Sequence, residues 1–411
     1  MDEDDAAAGL TDRWRRIGSG SAVRLVAVVL WRLDLPFRRP VATAKGQHRA
    51  RALVMVQTTI RSADGEFDGW GECAALADTT YDTEDVSVSF AVLEQALLPA
   101  LTAQTDASGG TLPGPAQLEG IRAAAPRMPL AFAALEMSVA DAHLRAQDRS
   151  LAGLLGVAGR TVELGAVVGQ AGTVDALVSQ VQALADLGYQ RVKVKIGPGW
   201  DVGPLAALTG AFPTLRFQAD ANGSYRDPDD AVWRELDRLG LLCIEQPFDV
   251  ADLSAHARLA ARLATPVCLD ESLDSPAAVE RALAAGACSV VCVKPSRLGG
   301  IGAALEVVES CSARGVPLWM GGMFESGYAR GVNTALAALP GFSWPGDLSP
   351  ARSYLEDDLV PAVRPARRGG GGRPTATVPP AGGAAGMGPA PEAASLERHV
   401  RDRRRIEVPG S

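Results

Sequence analysis

The sequence predicts an α/β protein in which a β/α barrel follows a smaller N-terminal α+β domain. Three short apolar runs each close with an acidic residue, Asp220 in LRFQADAN, Glu245 in LLCIEQPF and Asp270 in TPVCLDES, at intervals of 25 residues. That interval accommodates one strand and one crossover helix. Two further runs, RVKVKIGPGWD and SVVCVKP, carry lysines at a similar spacing. Because parallel barrel strands all end at one mouth, these acidic and basic residues should converge there.

The chain divides into four consecutive parts. Residues 1–22, which begin MDEDDAAAG, are expected to be a disordered N-terminal extension. Residues 23–150 should form the α+β domain, because RLVAVVLWRL and RALVMVQTTI resemble strands, whereas SVSFAVLEQALLPALTA and PLAFAALEMSVADAHLRAQ have helical spacing. Residues 160–350 should form the barrel, and residues 351–411 a C-terminal segment. Its stretch 364–391 is rich in Gly, Pro and Ala, and is therefore expected to be unable to pack.

The barrel strands follow one another at regular intervals. In chain order, the predicted strands are VELGAVV, RVKVKI, LRFQAD, LLCIEQ, TPVCLD and SVVCVK. The second and sixth strands carry the lysines, and they lie opposite each other in an eight-strand ring. A bound carbon acid would lie between two amines.

The lysines should point into the barrel. Lys193 and Lys195 alternate with apolar residues in RVKVKI, so the strand period of two places both ammonium groups on one side. The apolar side faces the helices, and the inward side is a costly place for a charge without a counter-charge. Lys294, 24 residues after Asp270, belongs to the same rim. The acidic residues would supply the counter-charges.

Converging carboxylates need a cation. Oxygen ligands without histidine or cysteine suit a hard divalent ion, which predicts Mg²⁺ at Asp220, Glu245 and Asp270, with Mn²⁺ as a substitute.

Three cysteines each precede a site residue by two positions, namely Cys243, Cys268 and Cys292. We interpret them as small core residues one layer below the site. Thiolate ligation of a metal is the alternative, but no CxxC pair supports it.

The order and spacing of the motifs resemble the enolase superfamily, and within it the group of o-succinylbenzoate synthases and N-succinylamino acid racemases. The resemblance runs from about residue 23 to about residue 353 and includes GWGEC, ALEMSVAD, KVKIGPGWD, DAN, IEQP, CLDES, KPSRLGG, GGMFESG and LPGFSWPGD. It implies an enolase-type (β/α)7β barrel with an N-terminal α+β capping domain. It also implies Asp220, Glu245 and Asp270 as metal ligands, with Lys195 and Lys294 as the catalytic pair.

The resemblance implies a Mg²⁺-dependent hydro-lyase, an o-succinylbenzoate synthase of menaquinone biosynthesis. Its substrate would be 2-succinyl-6-hydroxy-2,4-cyclohexadiene-1-carboxylate. Lys195 would remove the proton α to the carboxylate, giving an enediolate that the metal stabilises, and would then protonate the departing hydroxyl. A lysine can act as a base only when neutral, so its pKa must fall from about 10.4. Desolvation, the metal and Lys193 would all lower it.

Other functions stay open at this point. In an N-succinylamino acid racemase the same two lysines would exchange protons across the α-carbon, and the motifs do not separate the two reactions. A dipeptide epimerase is a less similar alternative. From a different class, a non-catalytic barrel that binds a small carboxylate also stays possible, although retention of all three acids and both lysines argues against it.

Eight further residues are candidates for substrate contact or for support of the site: Lys193, Asn222, Gln246, Arg297, Gly322, Glu325, Phe37 and Tyr81. Asn222 and Gln246 follow strand ends, where they would either orient ligands or satisfy loop backbone.

By resemblance, Arg297 in KPSRLGG marks the branch that contains racemases; a solvated loop charge is the alternative. Glu325 and Gly322 lie in GGMFESG, where glycines allow close approach to a substrate carboxylate or simply form a turn. Phe37 and Tyr81 are predicted either to face the substrate from mobile cap loops or to anchor those loops.

Composition excludes some classes of function. The 40 basic and 48 acidic residues give a formal net charge of −8, which offers no basic footprint for nucleic acid. The N-terminus lacks the layout of a secretory signal, and no run of about 18 apolar residues suggested a membrane span. We expect a cytoplasmic protein with reduced cysteines and a small-molecule carboxylate substrate. The sequence does not decide between a monomer and a homo-oligomer.

Overall fold

The computed structural model describes residues 8–20, 23–43, 46–227, 229–361, 366–367, 372–380 and 383–407. It confirms the predicted class, because an antiparallel N-terminal sheet with helices precedes a curled parallel sheet with crossover helices.

The cap is built on three long antiparallel strands, β1 (Arg24–Thr43), β2 (Gly46–Ser62) and β3 (Gly65–Cys73). The two predicted cap strands are therefore present, but they extend much further than expected. Since β1 continues to Thr43 and β2 begins at Gly46, the segment that was expected to be a loop containing Phe37 is mainly strand.

Among the described residues of the N-terminal part, six segments form α-helices: α1 (Leu10–Arg15), α2 (Val86–Val92), α3 (Leu98–Ala107), α4 (Glu119–Arg122), α5 (Pro129–Ala146) and α6 (Leu151–Leu155). A π-helical turn, Leu93–Leu97, joins α2 to α3, and a 3-10 turn, Pro115–Leu118, precedes α4.

The joined helix Val86–Ala107 is long and apolar enough to cross a bilayer by length and composition. The sequence predicted a helix over SVSFAVLEQALLPALTA but no membrane span. Leu93, Leu97 and Leu101 of this helix are buried in the hydrophobic core of the cap. This packing is the physical reason for its composition.

The glycines of GWGEC allow β3 to lie directly against α5. A Cβ at Gly69 would overlap the backbone at Ser138 and Ala142, and one at Gly71 would overlap the Ala134 carbonyl. Glycine is therefore required at both positions for this close approach.

The expectation of disorder for residues 1–22 is wrong for the part that the structure describes. Helix α1 buries Trp14, and Ile17 beyond it is also buried. The Trp14 indole donates to Glu136 Oε1 at 3.1 Å. Burial of Trp14 and Ile17, which lie three positions apart, stabilises this short segment despite its polar composition. Residues 1–7, 21 and 22 lie outside the described residues.

The barrel sheet contains seven parallel strands that are hydrogen-bonded in chain order. They are β5 (Ala166–Val168), β6 (Arg191–Lys195), β7 (Arg216–Asp220), β8 (Cys243–Glu245), β9 (Val267–Leu269), β10 (Val290–Val293) and β11 (Leu318–Met320). The predicted first strand, VELGAVV, is divided, because β4 (Thr161–Glu163) lies outside this sheet.

The segment 342–347 completes the ring between the last and first strands. Parallel bridges join Phe342 to Leu318 and Gly346 to Leu164. The Gly165 amide also donates to the Gly346 carbonyl at 2.7 Å. This irregular eighth strand corresponds to the final β of the predicted (β/α)7β arrangement.

In the part of the barrel that the structure describes, the helices are α7 (Val174–Asp186), α8 (Val202–Ala211), α9 (Val232–Asp237), α10 (Leu253–Ala260), α11 (Pro276–Ala284), α12 (Pro295–Leu298), α13 (Ile301–Ala313) and α14 (Gly327–Ala337). Several begin at a side-chain cap of the expected type, such as Thr173, Asp252 and Ser275.

The C-terminal part contributes β12 (Ala366–Arg367), β13 (Pro374–Thr377), α15 (Ala393–His399) and β14 (Val400–Glu407), with a 3-10 turn, Ala351–Ser353, before them. Strand β13 pairs with β4, and β14 pairs with β1 at the edge of the cap sheet. The expectation that 364–391 cannot pack is wrong for its described residues, because Val378 and Met387 are buried. The pairing of β13 with β4 and the burial of these two side chains are enough to pack this stretch against the rest of the fold. Residues 364, 365, 368–371, 381 and 382 lie outside the described residues.

Candidate active site

The carboxyl ends of β6, β7 and β8 bring the predicted lysines and acids together. Lys193 Nζ lies 3.2 Å from Asp220 Oδ2, 3.3 Å from Glu245 Oε2 and 2.7 Å from Asp347 Oδ2. The strand register explains this convergence, since Lys195, Asp220 and Glu245 are consecutive partners across the three strands. The predicted period of two therefore directs Lys193 inward, where it is buried.

Lys195 is held by two acceptors at the mouth of the barrel. Its Nζ donates to Asp220 Oδ2 and to Asn222 Oδ1, each at 2.7 Å. Asn222 donates in turn from Nδ2 to Glu271 Oε1 at 2.8 Å, which fixes the direction of its amide. Asn222 therefore holds the lysine through its side chain, a contact that neither predicted alternative named. The Tyr81 ring centroid lies 5.5 Å from Lys195 Nζ, so Tyr81 reaches the site.

Lys294 approaches from the sixth barrel strand. Its Nζ donates to Asp270 Oδ2 at 2.7 Å, and the Arg297 guanidinium pairs with the other oxygen of Asp270. Arg297 also lies 3.3 Å from Asp82 Oδ2 and donates to the Tyr81 carbonyl at 3.4 Å. Arg297 is buried, so the alternative of a solvated loop charge is wrong. Its pairing joins a cap loop to the barrel mouth.

Burial and ion pairing act on the lysines in opposite directions. Burial lowers the pKa of Lys195, while the Asp220 carboxylate raises it, and the net pKa is above the ordinary value. Burial and Arg297 lower the pKa of Lys294, and Asp270 raises it to a net increase. With these contacts both lysines are ammonium ions. The expected lowering by burial is therefore present, but the carboxylate partners outweigh it.

The three acids form a donor set suited to a hard cation. An oxygen of Glu245 and an oxygen of Asp270 lie within 4.8 Å of each other and of Cys292 Sγ. Asp220 is joined to this group through Lys193, whose Nζ lies 3.2 Å from Asp220 Oδ2 and 3.3 Å from Glu245 Oε2; Asp220 Oδ1 accepts from the Asn222 amide at 3.2 Å. Burial raises the pKa of the Cys292 thiol well above its ordinary value, which disfavours the thiolate form. Oxygen donors of Asp220, Glu245 and Asp270 fit Mg²⁺ or Mn²⁺.

The three cysteines below the site are core residues, as predicted. They pack together with two further residues in one buried cluster, formed by Cys243, Cys268, Cys292, Val290 and Trp319.

Gln246 satisfies loop backbone. Its Oε1 accepts from the amides of Asp270 and Ser272 at 3.1 and 3.2 Å, and its Nε2 donates to the Phe248 carbonyl at 3.1 Å. Of the two predicted alternatives, the backbone role is the one formed. By holding the Asp270 amide, it fixes the end of β9.

The carboxylate of Glu325 pairs with residues of α14 rather than with the lysines. Its carboxylate pairs with Arg330 at 2.7 Å and accepts from Asn333 Nδ2 at 3.0 Å, and it is buried. Within the described ranges, no ion pair or hydrogen bond joins it to Lys193, Lys195 or Lys294. A buried carboxylate requires a cation, and Arg330 lies closer.

The glycine that contacts the site is Gly321, one position before the predicted Gly322. A Cβ at Gly321 would lie 2.6 Å from Lys294 Cε. A Cβ at Gly322 would instead lie 2.8 Å from both Arg330 Nη1 and the Asp347 carbonyl, so this glycine serves packing around Arg330.

Phe37 is an anchor rather than part of a cap loop. It lies in β1, is buried, and its ring centroid is 5.8 Å from that of Phe324. Phe324 has a positive φ of 55° and is 38% exposed. Phe37 thus supports the exposed aromatic of GGMFESG.

Three buried polar residues of the site were missed. Asp347 lies in the closing segment, and Arg191 and Gln218 lie in β6 and β7. A signal was available: Arg191 shares the alternating face of Lys193, Gln218 shares that of Asp220, and Asp347 ends LPGFSWPGD.

Comparison with known proteins agrees with this geometry. A family model described as enolase C-terminal domain-like matches residues 176–376. The chain is 38% identical to an N-succinylamino acid racemase of Amycolatopsis sp. over 372 residues, covering 90% of this chain and 96% of that protein. It is 36% identical to an o-succinylbenzoate synthase of Geobacillus kaustophilus over 339 residues, covering 82% and 88%.

The fold also matches a solved structure. An enolase-superfamily protein of Listeria innocua superposes with a TM-score of 0.84 at 30% identity, covering 94% of this chain and 100% of that chain. The chain therefore belongs to the enolase superfamily, in the group of enzymes that contains o-succinylbenzoate synthases and N-succinylamino acid racemases.

Proposed function

We propose that the protein is a Mg²⁺-dependent o-succinylbenzoate synthase that dehydrates 2-succinyl-6-hydroxy-2,4-cyclohexadiene-1-carboxylate. The observation that carries the proposal is the arrangement of two lysines on opposite strands, each 2.7 Å from a different acidic residue of the predicted metal site. Relatives named as synthases, at 32–36% identity over 80–83% of this chain, support the choice of reaction.

Lys195 is the residue that we assign as base and then acid. Its side chain is 27% exposed, whereas those of Lys193 and Lys294 are 5% and 10% exposed, so Lys195 is the lysine most accessible to a ligand in the mouth. After losing its proton, it would take the α-proton of the substrate and return a proton to the departing hydroxyl. Asn222 holds its Nζ during this exchange.

Lys294 would remain an ammonium ion on the opposite face, where it would stabilise negative charge on the substrate. Mg²⁺ held by Asp220, Glu245 and Asp270 would supply Lewis-acid stabilisation of the substrate carboxylate. Tyr81 and Arg297 lie at the same mouth and would exclude water from the acyl side of the ligand.

A second candidate function is racemisation of N-succinylamino acids. The 38% identity to a racemase favours it, and so does buried Arg297, which contacts the carboxylate partner of Lys294. In that reaction Lys294 would exchange a proton on one face and Lys195 on the other.

We also propose that the protein acts in the cytoplasm, in menaquinone biosynthesis. All six cysteines are buried and unpaired, as expected in a reducing compartment.

The test is ultraviolet-monitored conversion of the cyclohexadiene acid by the purified protein with Mg²⁺, followed by excess EDTA. Chelator-sensitive formation of o-succinylbenzoate would support the synthase. Racemisation of N-succinylamino acids, measured by polarimetry, in a protein that does not convert the cyclohexadiene acid would support the second candidate instead. A folded protein that performs neither reaction with Mg²⁺ would overturn both.

A further inference from the structure

A chain of buried polar contacts runs from the closing segment of the barrel to the predicted metal ligands. Asp347 pairs with Arg191 Nη1. Arg191 donates from Nε to Gln218 Oε1 at 3.1 Å, and Gln218 Nε2 donates to Glu245 Oε2 at 2.6 Å. Asp347 also accepts from Lys193, at 2.7 Å between Oδ2 and Nζ.

The direction of this chain is determined by its donors. A guanidinium has only donors, so the carbonyl oxygen of the Gln218 amide must face Arg191. The NH2 group of the same amide must then face Glu245. Oε2 of Glu245 therefore accepts a hydrogen bond from the Gln218 amide, which fixes the rotation of this carboxylate.

These polar contacts are buried, so the loss of one of them cannot be replaced by contact with water. Arg191 and Gln218 are fully buried, and Asp347 is 8% exposed. The Trp319 ring lies 4.6 Å from the Arg191 guanidinium and 4.9 Å from Lys193 Nζ, which leaves no room for solvent on that side. Charges buried in this way need partners, and loss of one partner leaves the other uncompensated.

Lys193 is the second branch of the same arrangement. Its distance to Asp347, 2.7 Å, is shorter than its distances to Asp220 and Glu245, 3.2 and 3.3 Å. Asp347 therefore holds the Lys193 ammonium group closer to itself than to Asp220 and Glu245. Without it, Lys193 would be free to pair more closely with oxygens that a cation requires.

We propose that Asp347 is a positioning residue for the metal site: through Arg191 and Gln218 it orients Glu245, and through its own carboxylate it restrains Lys193. This inference rests on the proposed function, because it assumes that Glu245 binds a divalent cation. It assigns a role to the eighth barrel strand, which carries none of the predicted ligands.

The test compares Mg²⁺ binding to the metal-free protein by titration calorimetry for the natural sequence, Asp347→Asn and Gln218→Met. Asparagine keeps the shape but removes the charge that Arg191 and Lys193 share, and methionine removes the donor to Glu245. We expect dissociation constants about 10-fold to 100-fold weaker in both variants. Leu208→Ala is the matched control, since it removes a fully buried side chain of α8 away from the site.

The outcomes separate this inference from the proposed function. If the natural protein binds no Mg²⁺ or Mn²⁺, both fail. If it binds Mg²⁺ and the two site variants bind within twofold of it, the positioning role is refuted while the metal site stands. Equal weakening in Leu208→Ala at a comparable melting temperature would also refute it, because general destabilisation would then explain the loss. If Asp347→Asn does not fold, Gln218→Met decides the question.

Discussion

The carboxylate of Glu136 offers a quantitative test of how the cap is joined to the barrel. It lies in α5 of the cap and accepts from the Ile301 amide at 2.6 Å, the Gly302 amide at 3.1 Å and the Trp14 indole at 3.1 Å. It therefore binds the N-terminus of barrel helix α13 and also helix α1. Burial raises its pKa from 4.5 to about 7, although these donors oppose the increase.

The sign of the effect on stability follows from proton binding. Between pH 4.5 and about 7, folded Glu136 keeps a proton that the unfolded chain has released. Its contribution to stability is therefore complete below pH 4.5 and is lost as the pH rises through 7. The difference of about 2.5 pH units corresponds to roughly 3 kcal/mol, at 1.36 kcal/mol for each unit.

Glu136→Gln cannot ionise, so the free energy of unfolding should fall less between pH 5 and pH 8 in this variant than in the natural protein. The measurement is urea unfolding followed by circular dichroism across that range. Glu72 and Glu84 are also buried with pKa values raised to about 7, so only the difference between the two proteins reports Glu136. Glu119→Gln, at a side chain that is 73% exposed, is the control. Parallel pH profiles for Glu136→Gln and the natural protein would refute the assignment.

Three substitutions test the site. Lys195→Ala should reduce synthase turnover by at least about 10²-fold with an unchanged circular dichroism spectrum, because the general base is lost; unaltered turnover would exclude Lys195 as the base. Lys294→Ala should eliminate racemisation measured by polarimetry, since one face then lacks a base, and undiminished racemisation would contradict the two-base assignment. Gly321→Ala should lower turnover about tenfold or more, because a Cβ would lie 2.6 Å from Lys294 Cε. Gly203→Ala, at a position with open space around it, is its control, and equal rates in the two variants would count against the contact.

The parts of the site that could be predicted depend on local periodicity. Lys193 and Lys195 point inward because a strand alternates, and Asp220 and Glu245 meet because their strands are adjacent and in register. Contacts of this kind can be predicted once the order of the strands is known. For this reason the barrel and the convergence of its charged residues could be predicted from residue spacing.

The residues that could not be placed depend on pairings between distant segments. Asp347 meets Lys193 across 154 positions of the chain, and its partner is decided by the route of the closing segment. Glu325 lies in a motif that follows a barrel strand, which predicted a place at the site. Its carboxylate instead pairs with Arg330, which lies in the first turn of α14. Likewise, Trp14 stabilises the N-terminal helix through Glu136, which no local pattern indicates.

Acidic residues of the cap motifs contact the barrel and the C-terminal segment. Glu72 of GWGEC accepts from the Ser326 amide at 2.9 Å and from its hydroxyl at 2.5 Å, at the start of α14. Asp141 of ALEMSVAD accepts from the amides of Trp70 and Met387 at 2.7 and 2.6 Å. These carboxylates, with Glu136, hold the cap against the barrel and against the C-terminal stretch that was expected not to pack.

It follows that a barrel without catalytic activity could retain these cap residues, since the contacts described for them join the cap to the rest of the fold. The features that distinguish an enzyme from such a protein therefore lie in the mouth of the barrel. There, Asp220, Glu245, Asp270, Lys193 and Lys294 are buried and Lys195 is half-buried. Packing alone would not require this cost, because apolar residues of similar size are often equally stable in such positions. The retention of that cluster is most simply explained by catalysis.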